Sequence, residues 1–473
     1  MTHDDLCFTP ATELVSLIRR RKVSPLEVTK AVLARIERVN PPLTAYCTVA
    51  AEQALYTAKR ATSALKRRAR LGPLHGVPVS IKDLTLTKGI RTTEGSKIFE
   101  HRVPDQDALI VERLKTAGAI VIGKTNTPEF GAGANTFNAV FGPTRNPWNR
   151  ALTCGGSTGG GGVALATGMG QLAQGSDLGG SLRIPAAFCG VVGFRTSPGL
   201  VPIWPAPVAW DPWTVQGPMA RTVADTALML AAIAGPDPRA PISYAVDTRA
   251  FTKAAVEAPR IKGLRVAWGG GLGVTPVDDE VLKVCESALA VLGKLGARVE
   301  EAHPDFSGVH QIVQVSRGAT MVARHGDKLE QWRPVMQDNL VKNIEYGLRL
   351  TATEFGRAER LRTDLWHRVR EFFGNYDLIV TPTAAVPPFP VELVAPQEIN
   401  GKPMTDYIEW ALLTYAFTVV GLPAISVPCG FTHAGLPVGL QIAGRWRDEV
   451  HVLKAAAAFE AAAPWAHLRP PEA

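Results

Sequence analysis

Residues 155–199 hold 14 of the chain's 44 glycines, together with Ser157, Asp177, Ser181 and Arg183. Glycine admits positive φ and lets a ligand come close to main-chain N–H groups. Such groups are what an oxyanion or a phosphate needs. Val163, Leu165, Leu172, Ile184, Phe188, Val191 and Val192 are interspersed, so the stretch is folded chain and not a Gly/Ser linker. A serine hydroxyl there is a weak nucleophile until a neighbouring base takes its proton. Lysine serves as that base only when neutral, and its ordinary pKa of about 10.4 prevents this near pH 7. Burial lowers it, by up to about 3–5 units. Lys82 follows the apolar Val77-Pro78-Val79-Ser80-Ile81; read alone, a lysine after a strand is normally a surface residue.

Three familiar patterns fit poorly. A phosphate-binding loop needs Gly-Lys-Ser/Thr at its end, and Gly155–Gly162 has no lysine. Gly168-x-Gly170-x-x-Ala173 lacks the preceding strand and the later acid of a dinucleotide site. Gly155-Gly156-Ser157-Thr158-Gly159 matches the nucleophile elbow of Ser-His-Asp hydrolases. However, Asn146–Cys154 makes a poor strand, and Asp377 and His433 are downstream candidates such as any long chain offers.

A fourth pattern accounts for more residues. Gly155–Gly160 is followed by Gly175-Ser-Asp-Leu-Gly-Gly-Ser-Leu-Arg-Ile-Pro-Ala-Ala-Phe-Cys-Gly190. Gly76–Asp83, Lys124–Phe130, Asn146-Pro147-Trp148, Gly217-Pro218-Met219, Gly421–Gly430 and Gly435–Ile442 fall in the same order. Together, over about residues 10–450, these segments strongly resemble the amidase signature family of Ser-Ser-Lys hydrolases. The resemblance implies that Ser181 is the acyl-forming nucleophile, that Ser157, at a cis peptide bond, relays the proton, and that Lys82 is the base. It also implies an oxyanion hole from the N–H groups of Leu178, Gly179, Gly180 and Ser181. Asp177 and Arg183 straddle Ser181 and read as an ion pair holding the turn. Thr158 and Cys154 depart from the family's usual residues, and bear on rate and substrate choice more than on reaction class. No metal or cofactor is implied.

The elements that must position these groups alternate. Ser24-Pro25-Leu26-Glu27 is a capping box opening a helix with Val28, Val32, Leu33, Ile36 and Val39 on one face, stopped at Asn40-Pro41-Pro42. A second helix covers about 50–70. Strands are expected at Gly76–Ile81, Ala119–Ile122, Leu378–Val380, Ala424–Val427 and Val438–Ile442. Helices are expected at 107–117, 220–234, 278–296 and 351–373. Prolines make 201–215 a loop. The alternation gives an α/β architecture. With no clear linker, the expectation is a single large domain over 1–473. The family fold implies a mixed central sheet with helices on both faces and the N-terminal helices of 1–70 packed on it.

Composition narrows the rest. In 473 residues, 46% hydrophobic and 20% charged is an ordinary globular mix, which excludes a disordered protein. The net charge of +8 sits almost wholly in residues 1–70, which hold 13 Lys/Arg against 6 Asp/Glu. Arg19–Lys22 and Lys66–Arg70 carry no interleaved aromatics, so they read as solvated helix faces and no nucleic acid is expected. No apolar run reaches the length of a spanning helix and the N-terminus is acidic, so a cytoplasmic protein without a membrane partner is expected. Its six cysteines show no C-x-x-C pair and read as reduced thiols. A homodimer is one assembly open to it.

For the substrate, Trp204, Trp210 and Trp213 are read as an aromatic wall for an apolar acyl or aryl group. That gives a small-molecule amide, anilide, ester or carbamate. The alternatives are a glutamine-hydrolysing subunit of a tRNA-dependent amidotransferase and a catalytically silent scaffold. Ala411 stands where the glutamine-binding acid would be, and no arginine matches around Asn343–Gly347. A zwitterion buried without partners would be costly, which disfavours glutamine.

Overall fold

A computed structural model describes residues 2–67, 70–257 and 260–471. Residues 68 and 69, inside the expected second helix and the second basic run, lie outside the described residues.

After a short helix over His3–Phe8 come helices α1 (Ala11–Arg19), α2 (Pro25–Val39) and α3 (Ala51–Lys66). The capping box that starts α2 is formed: Glu27 N donates to Ser24 Oγ at 3.2 Å and Ser24 N donates to Glu27 Oε2 at 2.7 Å. These helices pack a second apolar core centred on Leu14, Ile18, Val28, Val32 and Ile36. They dock on the rest of the molecule through Asp225, which accepts from the amides of Ala11 and Thr12 at 2.9 and 2.8 Å.

Among the described residues eleven strands form one mixed sheet. In chain order they are β1 (Tyr46–Val49), β2 (Pro78–Lys82), β3 (Ile120–Thr125), β4 (Leu172–Asp177), β5 (Val192–Arg195), β6 (Val215–Ala220), β7 (Arg265–Trp268), β8 (Arg298–Glu301), β9 (Leu378–Pro382), β10 (Ala424–Phe431) and β11 (Pro437–Ala443). Their spatial order is β1-β3-β2-β4-β6-β5-β10-β11-β9-β7-β8. β3, β2 and β4 are parallel, as are β9, β7 and β8, while the strands between run antiparallel. Every residue of β2 and β3 is buried, which is why they read as continuous apolar runs and not as alternation.

The remaining main helices are α4 (Leu109–Thr116), α5 (Gly159–Ala166), α6 (Arg183–Cys189), α7 (Val223–Ile233), α8 (Asp279–Lys294), α9 (Val309–His325), α10 (Asp338–Arg349), α11 (Ala352–Phe372), α12 (Leu412–Val419) and α13 (Glu449–Ala462). The result is a single domain with helices flanking a large mixed sheet. Each expected strand and helix is present within a few residues of its expected ends. The glycine-rich stretch itself folds as α5, β4, α6 and β5. Among the elements not foreseen are the helices α9 and α10, the strands β1, β4, β5 and β6, the inner strand β7 and the edge strand β8.

Candidate active site

The centre of the site is the end of β2. Lys82 is wholly buried between β3 and β4. Its Nζ donates to Ser157 Oγ at 2.7 Å and to Ser176 Oγ, on β4, at 3.1 Å. Burial pushes the ammonium down to about 7, against the opposing pull of the Asp177 carboxylate. A substantial fraction is therefore neutral at neutral pH and able to accept a proton from the hydroxyl it touches.

Ser157 sits in the loop before α5, and its peptide bond with Gly156 is cis. Ser181 lies in the turn between β4 and α6. The two segments are tied by the main chain: Thr158 N donates to Ser181 O at 3.1 Å. Both serines line one cavity of about 70 Å³, with Ser176, Leu178, Gly179 and Gly180. Gly131 closes in from the other side, so that a Cβ there would lie 3.3 Å from Ser157 Oγ.

Asp177 holds the turn that carries Ser181. Its carboxylate accepts from Gly180 N at 2.8 Å, Leu182 N at 3.1 Å, and Arg183 Nε and Nη2 at 3.1 and 2.9 Å. Arg195 Nη1 adds a contact at 3.2 Å. Burial favours the neutral acid, but Arg183 and Arg195 overcome it and hold the carboxyl well below the usual range. The buried ion pair with Arg183 is the one read from sequence. It also corrects one expectation: the Gly180 amide is committed to Asp177, leaving those of Leu178, Gly179 and Ser181 as candidate donors to a substrate oxygen.

The tryptophans are a second correction. None of the three lines the cavity at Ser181 or the adjoining one of about 490 Å³. Trp210 is 73% exposed. Trp213 is buried under the Arg362 guanidinium, and Trp204 lies under that of Arg239. The proline-rich loop does border the larger cavity, through Pro202, Ile203, Pro205, Ala206, Pro207 and Val208. In a loop without periodicity, composition does not say which side chains face inward.

The two departures point away from the cavity. Thr158 is buried, and its methyl packs on Gly175, where a Cβ would meet Thr158 Cγ2 at 2.6 Å. Cys154 is buried against Gly159, where a Cβ would lie 2.6 Å from its Sγ. The elbow reading loses its partners: His433 pairs with Glu280 at the surface, and Asp377 pairs with Arg265 and Arg445. Among the described residues no strand leads into Ser157.

Several lining residues were missed. Leu84, Phe130 and His325 stand where the two cavities meet, with the rings of Phe130 and His325 stacked at 4.4 Å. Burial, reinforced by Lys328 and Arg324, drives His325 down to about 3, so its ring is neutral in the working pH range. Arg317, Tyr407 and Tyr415 form the opposite wall. A signal existed for Arg317: it falls on the helical stripe Val309, Ile312, Val313, Ser316, Met321, an unusual place for a cation.

A buried lysine on a serine hydroxyl, beside a second serine in an amide-rich turn, can activate a hydroxyl nucleophile. Residues 27–453 match the Amidase family model, and the chain belongs to that family. It is 41% identical to an acylamidase of Rhodococcus erythropolis over 99% of this chain and 98% of the relative. It is 36% identical to a glutamyl-tRNA(Gln) amidotransferase subunit of Moorella thermoacetica, over 99% of each. Among solved structures, a bacterial aryl acylamidase of the amidase signature enzymes superposes with a TM-score of 0.89 at 31% identity, covering 97% of both chains.

Proposed function

We propose that this amidase cleaves amides with an apolar or aromatic amine part, anilides among them, through an acyl-enzyme on Ser181. Carbamates and esters of similar shape share the chemistry. Ser181 Oγ attacks the carbonyl carbon while its proton passes to Ser157, whose own proton goes to neutral Lys82. The amine leaves with that proton, returned through Ser157. Water then attacks the acyl-enzyme by the same relay and releases the acid. The amides of Leu178, Gly179 and Ser181 face the oxygen that becomes negative. Loss of one such donor typically costs about 10²–10³ in rate. The reading needs no cofactor and has a cytoplasmic enzyme act on a small molecule.

The observation that carries it is the 2.7 Å contact of a wholly buried Lys82 with Ser157, in a cavity shared with Ser181. The likeness to acylamidases supports the substrate class. Glutamine is disfavoured because, among the described residues, no Asp or Glu lines the cavity to hold its ammonium group, and Ala411 lines it instead.

A fluorophosphonate probe tests the assignment. Labelling on Ser181, abolished in Ser181→Ala and strongly slowed in Lys82→Ala, is expected. Labelling confined to Ser157, or equal kcat/KM for glutamine and an aryl amide, would refute it.

A further inference from the structure

Arg317 is a buried cation in the wall of the reaction cavity with only neutral partners. Its Nε donates to Asn343 Oδ1 at 3.2 Å and to the Tyr407 hydroxyl at 3.1 Å, and its Nη1 donates to the Tyr415 hydroxyl at 3.1 Å. Among the described residues no carboxylate pairs with it, and no Asp or Glu lines this cavity. The other lining guanidinium, Arg324, is already paired with Asp211. A guanidinium taken out of water without an anion is costly to the fold. Its planar fork suits a carboxylate.

The position of Arg317 says which part of a substrate meets it. This step rests on the reading of Ser157 as the proton relay. The leaving nitrogen must then lie on Ser157's side, beside Leu84 and Phe130, which open into the larger cavity lined by Pro202, Ile203 and Pro205. The acyl substituent points the other way. There Tyr415 packs so tightly on the Ser181 turn that a Cβ on Gly179 would lie 2.1 Å from its ring. Arg317 donates to that tyrosine's hydroxyl, and both residues line the inner cavity and not the larger one. The space on this side is small, at about 70 Å³ for the whole inner cavity.

We infer that Arg317 receives a carboxylate at the end of a short acyl chain, so that the preferred substrates are half-amides of small dicarboxylic acids with an apolar amine. Discrimination comes from the charged hydrogen bond, and the apolar amine fills the larger cavity.

The test compares kcat/KM for N-phenylsuccinamate and for uncharged butyranilide. Wild type is expected to favour the charged amide by about 10- to 100-fold, the range of one hydrogen bond to a charged group. Arg317→Met brings the ratio to one or below, and Arg317→Lys restores part of it. The ratio cancels any general damage to the site. Should Arg317→Met fail to fold, Arg317→Gln serves, since it retains donors without charge. Calorimetric binding of N-phenylsuccinamate to Ser181→Ala, lost on adding Arg317→Met, gives a readout independent of turnover. A wild-type ratio at or below one, a ratio indifferent to Arg317, or binding that survives the second substitution overturns the inference. Hydrolysis of butyranilide with Ser181 labelled, but no charge preference, sinks this assignment alone. Absence of both turnover and labelling sinks the catalytic reading beneath it, and binding still decides the role of Arg317.

Discussion

The amide nitrogen of Thr158 donates to the carbonyl oxygen of Ser181 at 3.1 Å. The segments carrying the two cavity serines are thus joined by main chain, and the Thr158 side chain is free to do something else. It fills the space above Gly175. Thr158→Ser should therefore cost about 1 kcal/mol, the worth of one buried methyl, and leave kcat within a few-fold. Thermal unfolding and steady-state rates check both halves. A large loss of kcat without loss of stability would place the methyl in the reaction instead.

With Lys82 as the proposed base, its titration sets the pH dependence. Only its neutral form accepts a proton, so kcat/KM should fall tenfold per pH unit below about 7 and level off above. Lys82→Ala should lower kcat by several orders of magnitude and remove that limb. Stability carries a second test, in a higher pH window. The folded pKa lies below the unfolded one, so between about pH 7 and 10 the unfolded chain binds more protons. This group then makes the fold more stable as pH rises through that window. Denaturant titrations of wild type and Lys82→Met across the window isolate the contribution.

Asp177→Asn leaves Arg183 and Arg195 buried without their carboxylate. A loss of about 3–5 kcal/mol is expected, read as a drop in denaturation midpoint. Asp177 also favours the charged form of Lys82, so any folded variant should show its acid limb shifted to lower pH.

Trp210 is 73% exposed and touches neither cavity, so Trp210→Ala should leave kcat/KM for an anilide unchanged. Ala206 lines the larger cavity. Ala206→Trp should cut kcat/KM at least about tenfold for amides of bulky amines, equivalent to about 1.4 kcal/mol, and spare those of methylamine. The reverse pattern would return the aromatic wall to the site.

Gly160→Ala reverses the usual helix rule. In an open helix the change stabilises. Here the new Cβ would lie 2.5 Å from Ala45 O and Asn126 N, both main-chain atoms. Destabilisation of about 1–3 kcal/mol is expected in calorimetry.

That glycine also shows where sequence reading stops. Gly159–Gly162 have the poorest helix propensity after proline, yet they open α5, because the Thr136 and Cys154 side chains at Gly159 and main-chain atoms at Gly160 leave no room for a Cβ. Local preference gave way to a close approach invisible in one chain. By contrast, the capped α2 and the buried strands β2, β3 and β9 were legible, since their caps and apolar runs are local signals. The segment 298–350 was not. β8 is a charged edge strand, and the apolar stripe of α9 is interrupted by Ser316 and Arg317 where the helix borders the cavity. Lys82, Ser157 and Ser181 stood out through ordered motifs. The walls around them, from Phe130 to Tyr415, did not, because what makes them a wall is an arrangement in space and not a spacing along the chain.

The proline-bearing excursion between β5 and β6 has a consequence for how such an enzyme diversifies. It encloses the larger cavity, while the lysine and serines are held by strands and turns whose registers it does not touch. On the proposed function this loop tunes the amine without touching the bonds that hold Lys82, while Leu84, Phe130 and Ser176 belong to both cavities. A codon library confined to residues 202–209 can explore new amines while each member inherits an undisturbed reaction centre.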